Sequence, residues 1–83
     1  MKRDTITDII KFYMLMGACN KLAEKNFPEN EIIDESYKKT IDTFCEKYNI
    51  NHKDKSVDGY LNVEIQLDIL FTTILSEEGE KIW

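Results

Sequence analysis

Very little in this sequence interrupts a helix. One proline and three glycines in 83 residues leave few natural breaks, and the absence of repeats or low-complexity tracts marks a folded domain. Arginine is almost missing, one against ten lysines; with no basic helix or arginine cluster, a direct nucleic-acid surface is disfavoured. The two cysteines, Cys19 and Cys45, have apolar neighbours and no CxxC or Cys/His spacing. They read as reduced core residues of a cytoplasmic protein, with a helix-to-helix disulfide between them as the alternative. No segment approaches the ~20 apolar residues needed to span a bilayer.

Catalytic signatures are missing too. His52, the one histidine, sits beside Lys53 and Asp54 with no nucleophile motif nearby, so it reads as a surface loop residue and no triad is supported. P-loop, GxGxxG, HExxH and EF-hand patterns do not occur. The sequence therefore implies no catalytic residue, cofactor or metal. Leu15-Met16-Gly17-Ala18-Cys19 has the outline of a lipoprotein signal box, but Asp4, Asp8 and Lys11 fall where a basic and then apolar leader is required.

What is present is apolar periodicity. At 83 residues the chain is one domain, 1–83, whose core supplies only about 3–5 kcal/mol, so a second copy is expected to complete the burial. The spacing predicts three helices, at about 5–25, 29–48 and 57–78, forming an all-α three-helix bundle that homodimerises. In the first, Thr5 is expected to cap the start with Asp8 reaching back. Ile9, Phe12, Met16, Cys19 and Ala23 make one stripe; Ile6, Ile10, Tyr13 and Gly17 make a second beside it. Pro28 ends this helix, and the short link makes the next one antiparallel. The second helix has one clean stripe, Ile33, Tyr37, Ile41, Phe44 and Tyr48, and solvent-side pairs Asp34/Lys38 and Glu35/Lys39.

The last segment fits two templates. From Leu61 to Ile69 apolar and polar residues alternate strictly, a strand pattern. Tyr60, Val63, Leu67, Leu70, Phe71 and Ile74 instead follow helical spacing, with Gly79 as the stop. Helix is the better reading, because a lone strand has no partner in this sequence. A helix places Leu61, Ile65 and Ile69 on a second apolar stripe that one core does not require.

Charge isolates the same segment. Residues 1–56 hold ten bases and ten acids, while residues 57–83 hold Lys81 against Asp58, Glu64, Asp68, Glu77, Glu78 and Glu80, so all of the net −5 lies there. An acidic helix with spare apolar residues suits a basic, partly apolar groove on another protein. Leu61, Glu64, Ile65, Asp68, Ile69, Glu77, Glu78 and the terminal Trp83 are the candidate partner-binding set. The sequence thus points to a non-enzymatic interaction module, an inhibitor or adaptor of a larger protein. The abundance of Lys, Ile and Asn over Arg fits A/T-rich codons, as in a low-GC bacterium or its phage, where a host or defence protein would be the target.

An alternative rests on carboxylates. Glu31, Asp34 and Glu35 on the second helix, with Glu64 and Asp68 on the third, would hold Mg²⁺ between two antiparallel helices. The pattern faintly resembles the all-α nucleoside triphosphate pyrophosphohydrolases, whose helices carry ExxE and ExxD sets. That resemblance implies Mg²⁺-dependent nucleotide hydrolysis. Here the spacings are Glu31-x-x-Asp34 and Glu64-x-x-x-Asp68, and only the first matches the family pattern.

Overall fold

Helical spacing wins over alternation in the last third. The computed structural model describes residues 2–82, and side-chain surroundings for residues 2–79; within it residues 61–69 lie inside a long helix, and no strand occurs among the described residues. Tyr60, Val63, Leu67 and Phe71 are buried at intervals of three and four, whereas Ile65 and Ile69 are left outside. The chain is all-α, with α1 (Arg3–Glu24), α2 (Glu29–Ile32), α3 (Glu35–Lys47) and α4 (Val57–Ile82).

Four helices replace the expected three because the second one is broken. Asp34 is extended, at φ −86° and ψ −175°, and its side chain accepts the Tyr37 amide at 2.9 Å. It therefore caps α3 from outside and splits the four-residue α2 from it. Two further boundaries differ from the sequence reading. Helix α1 starts at Arg3 with no side-chain cap on Lys2, leaving Thr5 and Asp8 inside the helix. Gly79 does not stop α4, which continues to Ile82.

Asparagine ends two of the helices. Asn26 and Asn49 have φ of 63° and 61°, the left-handed conformation that asparagine tolerates. After α1, the amides of Asn26 and Phe27 turn back to the carbonyls of Ala23 and Leu22; after α3, the Ile50 amide returns to Cys45 at 2.8 Å. The chain then re-enters helix through Ser56, whose hydroxyl accepts the Gly59 amide at 3.2 Å, while Asp54 accepts the Ser56 amide at 3.0 Å.

The core is aromatic. Phe71 meets Phe12, Phe44 and Tyr48 edge-on at centroid distances of 5.2, 6.0 and 5.2 Å, geometry in which ring edges face ring π-clouds. These contacts set the topology. Phe12 lies on Phe71 and Tyr13 on Asp68 and Thr72, and a hollow joins Asn20 to Glu64, so α1 and α4 run antiparallel. Tyr48 lies by Asp8 and Phe44 by Phe12, so α3 is antiparallel to α1, as expected. It therefore runs in the same sense as α4, not antiparallel to it as the carboxylate reading required.

Candidate functional site

Two features stand out, and the first is an uncovered surface. On α1, Asp8 and Phe12 turn toward α3, and the opposite side carries Ile6, Ile10 and Met14, which are 44, 53 and 70% exposed. On α4, Ile65 and Ile69 are 57 and 63% exposed and likewise turned from α3. Tyr13, 37% exposed, joins the two rows through its hydroxyl, 3.0 Å from Asp68 and 3.2 Å from Thr72. The result is one continuous apolar face across two antiparallel helices. Its seam is a hollow of about 340 Å³ between Tyr13, Met16 and Asn20 on one side and Glu64, Ile65 and Asp68 on the other.

Half of this face was legible as the second stripe of the last helix. The other half was legible as the second stripe of the first helix, but nothing in the sequence showed that the two would be neighbours. Of the partner-binding candidates, Ile65 and Ile69 lie on the face, and Asp68 edges it while accepting from Tyr13. Leu61 instead packs against the core. Glu64 turns inward and accepts the Tyr37 hydroxyl at 2.9 Å. Burial, reinforced by the Glu64 carboxylate, pushes that hydroxyl well above the ordinary tyrosine range. Glu77 is exposed and Glu78 half-buried; Trp83 lies outside the described residues.

The second feature is a polar cluster under the 49–56 loop. His52 is not a surface residue: its side chain is 4% exposed and its ring stands edge-on to Tyr60 at 4.4 Å. Asp42 organises the group, accepting from the Tyr60 hydroxyl through both oxygens at 3.1 Å and from Lys55 at 3.1 Å, with His52 Nδ1 at the same distance. Nδ1 also lies 3.3 Å from Lys55 Nζ, which can only donate, so the ring nitrogen sits between a donor and an acceptor and its tautomer sets which of the two it bonds. Burial opposes ionisation of Asp42, but the bonds from Lys55 and Tyr60 prevail and hold its carboxyl below the usual range. An Asp–His pair is a possible catalytic element, yet here Nε2 is enclosed and has no partner. The arrangement clamps the loop to α3 and α4.

The carboxylates of the Mg²⁺ reading are dispersed. Asp34 caps α3, Glu64 takes Tyr37 and Asp68 takes Tyr13. Among the described residues, no three His, Cys, Asp or Glu side chains gather where they would hold a metal ion. Cys19 and Cys45 are both free thiols, and burial raises each. No described helix is long and apolar enough to cross a membrane. The sequence matches no protein-family model, and no curated protein or solved structure matches it.

Proposed function

We propose that this chain acts by binding protein, as a small inhibitor or adaptor of a larger partner, through the face shared by α1 and α4. The observation that carries this reading is the pair of exposed apolar rows joined at Tyr13. Large apolar residues scattered singly are ordinary, whereas a contiguous patch on the side of a fold away from its core is the usual mark of a docking surface. The acidic residues of α4 that rim the rows, Asp58 and Asp68, favour a partner that presents apolar residues among basic ones.

The test uses the immobilised full-length chain and the Ile65→Glu variant in extracts of the cell that encodes it. A partner held by the wild type and lost at least tenfold by Ile65→Glu, with helical circular dichroism unchanged, supports the reading. Equal retention by both chains, or none by either, removes it.

A further inference from the structure

We propose that a second copy of this chain covers the α1/α4 face, in a twofold dimer that lays α1 of each copy over α4 of the other. This rests on the reading of that face as a protein-binding surface, and it names the protein that occupies the face when no larger partner does.

Surface area is the first argument. The molecule exposes 6122 Å², about 1,000 Å² more than the roughly 5,200 Å² of a compact folded monomer of this mass. Its radius of gyration, 13.6 Å, likewise exceeds the ~12 Å of a compact chain of this length. Ile6, Ile10, Tyr13, Met14, Ile65 and Ile69 are 37–70% exposed; at about 200 Å² for each fully exposed side chain, they leave on the order of 700 Å². A stable interface takes about 800 Å² from each partner.

Charge then selects the arrangement. From residue 57 to 79, α4 holds five acids and no base, so α4 stacked on its own copy would bring like charges together. The α1 row ends instead in Arg3 and Lys21, on the side that carries Ile10 and Met14. Tyr13 is level with Asp68 and Thr72, and both helices rise about 1.5 Å per residue. A twofold axis in the plane of contact, parallel to the helices, keeps each residue at its own level, so Lys21 of one copy, level with the first turns of α4, comes within about one helical turn of Asp58 of the other. Both side chains are exposed in the single chain. An isologous contact of this kind is closed and self-complementary.

Sedimentation of the full-length chain at tens of micromolar tests this. The wild type is expected at twice 9.8 kDa, and Ile69→Glu at the single-chain mass with unchanged helical circular dichroism. Lys21→Glu is expected to weaken the dimer about fivefold, and adding Asp58→Lys to restore it to within about twofold. A wild-type monomer, a dimer that survives Ile69→Glu, or a charge swap that fails to recover association overturns the proposal. The two readings fail separately. A monomer that still captures a larger partner through Ile65 sinks only the dimer; a dimer that captures none sinks only the inhibitor or adaptor role.

Discussion

The Tyr48 hydroxyl donates to the Asp8 carboxylate at 2.6 Å, tying the end of α3 to the second turn of α1. Lys47 reaches the same oxygen at 2.6 Å from the exposed side. Asp8 is the one buried charged residue among those described, 9% exposed, and a half-buried hydroxyl deprived of its acceptor is costly. Asp8→Ala is therefore expected to lower unfolding free energy by about 2 kcal/mol and Tyr48→Phe by about 1 kcal/mol. In urea denaturation the double variant should fall short of the sum by about 1 kcal/mol, since each change removes the same bond.

The same carboxylate sets the acid limit. Burial works against the charge on Asp8, but the bonds from Lys47 and Tyr48 overcome it and hold its carboxyl below the ordinary 3.8; Asp42 is held low in the same way by Lys55 and Tyr60. A carboxyl depressed in the folded chain contributes stability that is complete above its unfolded value and lost as pH falls through the folded one. Thermal midpoints should be flat from pH 7 to about 5 and decline below about 4. In Asp8→Asn the decline should be shallower, because one of the three carboxyls held low, Asp8, Asp42 and Asp54, is gone.

At the alkaline end the sign reverses. Tyr48 and Tyr60 are pushed from 10.0 up to about 12, first by burial and then by Asp8 and Asp42, the carboxylates their hydroxyls bond. Their contribution to stability is complete below pH 10 and lost as pH rises from there through 12. Helical circular dichroism should therefore fall together with the growth of tyrosinate absorbance across that interval. In a Tyr13→Phe chain, which removes the exposed tyrosine, tyrosinate appearing near pH 10 with the helix intact would contradict the two hydroxyl–carboxylate bonds.

Two glycines should respond oppositely to alanine. A Cβ on Gly59 would lie 2.1 Å from the Asp54 carbonyl oxygen, so the 51–56 loop can lie against α4 only because that side chain is missing. Gly59→Ala is expected to cost about 2–3 kcal/mol, as backbone is the clashing group and has little room to shift. A Cβ on Gly79 meets nothing within 4 Å, and Gly79→Ala should stabilise α4 by about 0.5–1 kcal/mol. Chemical denaturation of the two variants separates the effects.

How far these relationships could be read from sequence differs from residue to residue. The buried stripe of α3 was plain, because Tyr37, Ile41 and Phe44 repeat on a helix whose other side is charged. The break at Asp34 was hidden, since an aspartate that caps a helix and one that pairs with a lysine at i+4 look alike until the backbone is known. The helix ends at Lys25-Asn26-Phe27 and Tyr48-Asn49-Ile50 do carry a signal, asparagine followed by an apolar residue, but it is masked by Pro28 at the first and by the polar loop at the second. The apolar face needed both Ile10 and Ile69. Periodicity placed each on a second stripe of its own helix, and only the pairing of α1 with α4 made them one surface.

The clamp around Asp42 separates what a ring does from what its polar atoms do. His52 fills space against Tyr60 and sets Nδ1 3.1 Å from Asp42 and 3.3 Å from Lys55, yet it buries Nε2 without a partner, and an orphaned buried polar atom opposes folding. His52→Phe keeps an edge-on ring, loses the one bond of Nδ1 and removes the orphan, so its unfolding free energy is expected within about 1 kcal/mol of the wild type. His52→Ala leaves a cavity beside Tyr60 and should cost about 2 kcal/mol. Asp42→Ala strips Tyr60 and Lys55 of their shared acceptor; with that carboxylate 42% exposed, solvent screening limits the loss to about 1–2 kcal/mol. If His52→Phe proved as damaging as His52→Ala, the histidine would matter for its nitrogens, and the loop would be held by the Nδ1 bond more than by ring packing.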